Sequence, residues 1–543
     1  MRRGPHASLP RMQAALCFAY FAVLLLLAMY GLHRSHLVLT VLRYRAKLRA
    51  LRDGTPPLSL QVDPATLPRV TIQLPLFNEA TVVNRLLEQT ARMVYPRSKL
   101  EIQVLDDSTD ESRPMARSKV QALAASPPSL PEGTRADWQG DLDIVYLYRA
   151  RRTGYKAGAL NAGLKVAKGE LVAIFDADFV PKETFLLDLV PHFVADARVG
   201  MVQARWGHMN RELSWLTRVQ ALMLDGHHLV ENRARSAAGW LFNFSGTGGM
   251  WRRAAIDQSG GWQHDTLTED LDLSYRAQMA GWKFVYREDV VTPAELPEDV
   301  SALRAQQFRW AKGTVQTARK LMKRVMTARE LTLMQRIEAF FHMTPHFAYP
   351  LMVVLSVLLL PALVLMPATN PITMLLIDLP LCIGTTGSLL AFYAMAEAAQ
   401  GRKRMDAVRT LPALLALGAG LAPHLSKAVF EGLRSMSGEF VRTPKHGLAH
   451  SRRYRARADL PMVEMALSLV SFGSIIASIT TGHWFATPFA MLFMVGYGYV
   501  AVLVASEQLA RRKAARLAPA PSAQGQERDA IPHSSSSTEE LAA

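Results

Sequence analysis

The chain has 543 residues, half of them hydrophobic and 20% charged, with a formal net charge of +16. That length exceeds what one core accommodates, and high apolar content beside an ordinary charged fraction suits a soluble domain joined to membrane segments. The basic excess crowds beside apolar stretches, at 33–52, 401–409, 442–457 and 511–516, without zinc-finger spacing or aromatic–basic interleaving. It therefore argues against nucleic acid and for a lipid bilayer as partner. Cys17 and Cys382 both lie in apolar runs, so neither a disulfide framework nor a cysteine metal site is indicated.

After a short tail, 1–12, an apolar run at 13–32 is long enough to cross a bilayer. A signal peptide competes for it, because Arg2, Arg3 and Arg11 precede it; the lack of a small-residue cleavage pattern and the basic residues that follow favour an uncleaved helix. A juxtamembrane linker at 33–67 leads into a soluble domain at 68–330. Strands are expected at 69–75, 100–105, 143–148 and 170–175, alternating with helices at 80–93 and 155–167, which implies an α/β domain with a largely parallel sheet. Further spans are expected at 347–366 and 372–394, and again at 462–481 and 484–505. The stretch 411–430 is apolar but interrupted by His424 and Lys427 and flanked by basic segments. If both flanks lie on the cytoplasmic side it cannot cross once, so an interfacial or re-entrant helix is expected, followed by a basic segment at 431–460. Five spans then leave 43–336 cytoplasmic and the N-terminus outside. The tail at 517–543, rich in Pro, Ser, Ala and Gln, is expected to be disordered.

Ligands of parallel sheets gather outside the carboxyl ends of the strands, and two of these ends are acidic. Asp176-Ala-Asp178 follows the fourth strand, where two carboxylates can hold Mg²⁺ or Mn²⁺ against phosphate oxygens. An alternative is that one of them caps a helix beginning near Pro181. Asp106-Asp107-Ser108 ends the second strand, and with Pro75-Leu-Phe-Asn-Glu79 could hold a base and ribose through Glu79 and Asp107; a polar turn is the plainer alternative. Thr268-Glu269-Asp270 opens a helix in which Asp270 can be a general base, or Thr268 simply an N-cap. Gln306-Gln-Phe-Arg309-Trp310 offers a guanidinium for diphosphate and an aromatic face for a sugar, although Arg and Trp also anchor interfacial helices.

In this order the four motifs resemble the D, D-x-D, T-E-D and Q-x-x-R-W pattern of the family 2 processive glycosyltransferases, which include cellulose, hyaluronan and chitin synthases. The likeness is greatest to the cellulose-synthase-like mannan and glucan synthases of plants and their bacterial relatives, in Gln203-Ala-Arg-Trp206, Asn243 to Arg252, Gly260-Gly-Trp262, Gly281 to Tyr286 and Glu295-Leu-Pro297. The resemblance implies a cytoplasmic GT-A domain, with a Rossmann-like, mixed but mainly parallel sheet, inserted between transmembrane helices. It implies inverting transfer of a hexosyl unit from a nucleotide-sugar, of the UDP-glucose or GDP-mannose class, to a growing β-linked glycan in a cell membrane. Glu79, Asp107 and Lys156 would contact the nucleotide or its phosphates, Asp176 and Asp178 the diphosphate and metal, and Arg309 the diphosphate. Asp270 would be the base. Phe244, Gly246, Thr247, Thr268, Glu269, Gln306 and Trp310 would border the acceptor. Glu439 to Gly447 resembles a gating loop, carried by Phe440, Thr443 and Lys445, although Arg442 stands where the pattern has an apolar residue. Two rivals stay open: a non-processive transferase that glycosylates a lipid, and a transporter with a degenerate transferase domain. The sequence names neither the sugar nor any export partner.

Overall fold

The computed structural model describes residues 9–53, 55–365, 383–436 and 461–517. Its α/β domain is built on a seven-stranded sheet, β1 Val70–Leu76, β2 Leu100–Asp106, β3 Asp143–Tyr148, β4 Leu171–Ile174, β5 Val199–His208, β6 Gly249–Arg252 and β7 Lys283–Ala294, in the order β3-β2-β1-β4-β6-β5-β7. β3, β2, β1 and β4 run parallel, β6 is antiparallel to both its neighbours, and β5 pairs parallel with β7. The sheet is thus mixed and mainly parallel. Its central strands are buried on both faces and read as nearly continuous apolar runs. The polar exceptions pair across strands: Thr71 Oγ1 donates to Glu101 at 2.6 Å and Gln73 Nε2 to Gln103 at 3.1 Å.

The helices Val83–Ala91, Ser112–Ala125 and Phe185–Ala195 cover one face, and Tyr155–Val166, Arg253–Gln258 and Glu269–Met279 the other. The chain leaves β1 for β2 and β3 on one side, then returns to place β4 on β1's other flank. This switch point opens a crevice at the carboxyl ends of β1 and β4.

The four expected strands match β1 to β4. β5, β6 and β7 were not anticipated, for physical reasons. β6 has four residues at the end of a glycine-rich run, and β7 carries Lys283, Arg287, Glu288 and Asp289, which break its alternation. The register of β5 on β7 shifts between Ala204 and Arg205, where Glu288 to Val290 bulge out. The expected helix start near Pro181 is also displaced: the helix begins at Phe185, with Thr184 at its N-cap.

Five described helices are long and apolar enough to cross a membrane: Gln13–Arg43, Pro345–Leu365, Arg404–Arg434, Met462–Thr480 and Trp484–Ala510. Together they give a polytopic helical membrane part, with side chains such as Phe18, Leu469 and Val502 turned outward. The first helix runs unbroken from Leu9 to Arg43, past the expected end at 32. Residues 366–382, across the expected spans 347–366 and 372–394, lie outside the described residues; the helix Ser388–Ala399 follows them.

Arg404–Arg434 is one helix of 31 residues. A Cβ at its Gly420 would come within 2.2 Å of the Gly496 carbonyl, so it meets the last helix backbone to backbone. Length and composition alone would let it span. Yet both ends touch the α/β domain: Arg402, just before it, pairs with Asp225, while Glu431 pairs with Lys312 and Gly432 accepts from Arg319.

Candidate active site

An open cleft lies over the carboxyl edge of β1, β2 and β4. Asp106 and Asp107 divide the end of β2 between them. Asp106 turns inward, accepting from Tyr146 at 2.7 Å and from the Ser108 N–H at 2.8 Å. Asp107 faces the cleft, where Arg149 grips both its oxygens with the Nε–Nη2 edge of the guanidinium. Asn78, in a left-handed conformation with φ of 56°, ties the loops after β1 and β2 together: its N–H donates to Ser108 Oγ and its side chain accepts from the Thr109 N–H. That tie presents Glu79 to the same wall. Beside them the Arg152 guanidinium lies 3.4 Å above the centre of the Phe77 ring.

In the middle of the cleft, Lys156 opens the helix Tyr155–Val166 and reaches across to Asp176 at 2.5 Å and to the Gly246 carbonyl at 2.8 Å. Asp176 and Asp178 lie on a turn, not a helix cap, and both line the cleft. The Asp176 N–H donates to Thr247 Oγ1 at 2.8 Å. Burial disfavours the Lys156 ammonium, but Asp176, Glu269 and Asp270 outweigh it, so its pKa is raised.

At the far end stand Glu269 and Asp270, in the first turn of Glu269–Met279. Thr268 occupies the N-cap position but does not cap: its hydroxyl meets Thr317 at 3.1 Å on the helix Val300–Thr327. Burial, then the neighbouring Glu269 charge, push Asp270 up to about 7; one of its oxygens accepts from the Leu271 N–H. Glu269 is raised too, by burial, with Lys156 opposing. Gly246 has φ of 81°, and a Cβ there would sit 3.0 Å from Asp270 Oδ2. Only glycine combines that backbone with that approach. Gln306, Arg309 and Trp310 share one face of their helix at spacings of three and four, and all line the cleft. Burial lowers the Arg309 pKa against the pull of Glu269, Asp176, Asp270 and Asp178, and the group stays cationic.

Of the residues singled out from sequence, Glu79, Asp107, Lys156, Asp176, Asp178, Gly246, Thr268, Glu269, Asp270, Gln306, Arg309 and Trp310 share this one cleft. Phe244 does not face it. Its ring is fully buried, packed edge-on against Trp251 at 5.7 Å, because the apolar layer between β6 and the helices claims it. Thr247 is buried as well, and holds the Asp176 backbone instead of meeting a sugar. Phe440, Thr443 and Lys445 lie outside the described residues. Ser245, within the Phe244 to Thr247 segment expected at the acceptor, lines the cleft. Sequence reading overlooked Phe77, Arg149, Arg152 and His208. The cluster of arginines after β3 was the available signal for two of them; a lone Phe or His gave none.

A cleft at the carboxyl edge of a mixed sheet, with paired carboxylates, a bridging lysine and a separate carboxylate of raised pKa, defines the class of nucleotide-sugar transferases. Residues 68–313 match the model of the glycosyltransferase like family 2. The chain is 32% identical over 517 residues to glucomannan 4-beta-mannosyltransferase 1 of Oryza sativa subsp. japonica, covering 91% of this chain and 94% of that one. It is 35% identical over 358 residues to glucomannan 4-beta-mannosyltransferase 7 of Arabidopsis thaliana, 63% of this chain and 62% of the relative. It is also similar to the solved structure of the mannosyltransferase PcManGT from Pyrobaculum calidifontis, in complex with GDP-Man and Mn²⁺, at 23% identity and a TM-score of 0.48, over 78% of this chain and 99% of that one. The chain belongs to glycosyltransferase family 2, and is an inverting hexosyltransferase of the cellulose-synthase-like kind.

Proposed function

We propose that this enzyme transfers mannosyl or glucosyl units from a nucleotide-sugar to a growing β-1,4-linked glycan, repeatedly, and passes the product into its membrane helices. One observation carries the reading: Lys156 and Asp176 close the middle of a cleft whose two ends hold Asp107 and Asp270. The Asp107 end, with Glu79 and the Phe77–Arg152 stack, suits a nucleoside. Asp270 takes the proton of an acceptor hydroxyl as that oxygen attacks the anomeric carbon opposite the departing diphosphate. Lys156 and Arg309 receive the charge that develops on the leaving group. One displacement without a covalent intermediate inverts the anomeric centre. Trp310, beside Gln306, offers the acceptor ring an aromatic face.

The residues fit a divalent cation. Asp176 and Asp178 both line the cleft and supply oxygen donors only, the chemistry Mg²⁺ and Mn²⁺ prefer. Bound there, such an ion supplies charge neutralisation to the diphosphate. The basic segments beside the apolar helices support a cytoplasmic α/β domain in a cell membrane. The helix Arg404–Arg434, attached to that domain at both ends, is best read as interfacial. The segment 439–447 after it would be the gating loop.

The test is incubation of the purified protein with UDP- and GDP-hexoses plus Mg²⁺ or Mn²⁺. A GDP-mannose or UDP-glucose signal with products of many sugars supports the reading. A product of one sugar on lipid, from the same donors, contradicts processivity.

A further inference from the structure

Behind the cleft, where the α/β domain meets the membrane helices, two fully buried carboxylates share two arginines. Asp225, at the end of the helix Trp215–Gly226, accepts from Arg211 at 2.7 Å and from Arg402 at 2.8 Å. Glu397, on the helix Ser388–Ala399, accepts from the same two arginines, Arg211 at 2.6 Å. Each guanidinium therefore bridges both carboxylates in a closed ring of zero net charge. Beside it, a Cβ at Gly226 would fall 2.5 Å from the Phe392 ring, so the two helices cross in direct contact. A buried ion-pair ring is seldom more stable than apolar packing of the same size; what it adds is one fixed register.

The ring has an arm at each wall of the cleft. On one side Asp225 meets His208 Nε2 at 3.1 Å, and His208 lies on β5 in the cleft lining. On the other, Arg402 precedes Arg404–Arg434, whose far end docks on the helix that carries Gln306 and Trp310: Lys312 pairs with Glu431 at 2.9 Å and Gln316 donates to the Ser435 carbonyl at 2.9 Å. We propose that Arg211, Asp225, Glu397 and Arg402 form a positioning clamp that fixes the β5 wall against the Gln306–Trp310 wall, and so aligns the acceptor glycan for transfer. None of the four reaches the reacting atoms. Among the described residues, the side-chain contacts of the ring reach the β5 wall and not the nucleoside end of the cleft on β1 and β2. Losing the clamp therefore separates acceptor use from donor use.

This rests on the transferase reading above, and the test keeps the two apart. Glu397→Gln alone leaves an excess buried positive charge and risks misfolding. The double variant Glu397→Gln/Arg402→Gln stays neutral and keeps the Arg211–Asp225 pair. In detergent-purified full-length protein, donor hydrolysis without acceptor and transfer to a β-glycan oligosaccharide are measured side by side. With a folded double variant, as judged by its elution and melting profile, hydrolysis kcat and donor KM are expected within about twofold of the unaltered enzyme, while transfer kcat/KM for the acceptor falls about tenfold and products shorten. Transfer within twofold overturns the clamp. So does a parallel fall of hydrolysis and transfer, which marks a general structural role, and so does a double variant that cannot fold while Arg402→Lys transfers normally. An unaltered enzyme that neither hydrolyses nor transfers any nucleotide-sugar would sink the transferase reading instead.

Discussion

Asp107 and Asp270 are carboxylates of one cleft in opposite surroundings. Asp107 is almost fully buried but gripped by Arg149 through two parallel contacts, with Arg152 4.0 Å away, so its charge is compensated and its direction fixed. Asp270 has a second acid, Glu269, as its chain neighbour, the Leu271 backbone N–H as a hydrogen-bond donor, and the Lys156 ammonium committed to Asp176 and Gly246. The first arrangement makes a stable acceptor for hydrogen bonds from a ligand. The second makes a base that holds its proton near neutrality, where a hydroxyl can exchange with it. Environment, not residue type, separates their roles.

The largest break in this comparison comes from removing the carboxylate proposed as the base. Asp270→Asn is expected to lower transfer kcat by about 10³-fold while donor KM, read by competition with the nucleoside diphosphate, stays within a few-fold. Lys156→Met should lower kcat by about 10²-fold, because the leaving diphosphate loses a charged partner in a secluded site. Asp107→Ala acts at the other end: it leaves Arg149 without its partner and should raise donor KM about tenfold with a smaller change in kcat. The smallest effect is on stability. A carboxylate with its folded pKa raised from 3.8 to about 7 favours folding fully below its unfolded value, and that contribution is lost as pH rises through 7. At pH 8 Asp270→Asn should therefore melt about 1–3 °C higher than the unaltered enzyme, a difference that vanishes or reverses toward pH 5.

Much of this was legible in the chain. Apolar runs give β1, β2 and β4, and acidic residues after β2 and β4 mark the cleft edge, because a parallel strand buried on both faces needs an apolar run and its carboxyl end faces the crevice. Motif order brought twelve residues to one cleft. What sequence could not supply was sidedness. Phe244 and Gly246 stand two apart, yet one ring is core and the other residue lines the cleft beside Asp270, since they lie in irregular chain before β6 and Gly246 takes a left-handed conformation. β5 to β7 went unseen because their partners are distant in sequence and their polar residues are satisfied only in the folded sheet, as Arg287 is by Asp289 and His192. The grip of Arg149 on Asp107 spans 42 residues, and no local pattern announces it.

The claim that crowding and burial make Asp270 the base is tested most directly by the pH profile of transfer kcat/KM in the unaltered enzyme and in Glu269→Gln. The account predicts an ascending limb with its midpoint near 7, activity falling tenfold per unit below it, and a midpoint displaced downward when the Glu269 charge is removed. A profile flat from about pH 5.5 to 8, or a limb that Glu269→Gln leaves in place, would contradict it.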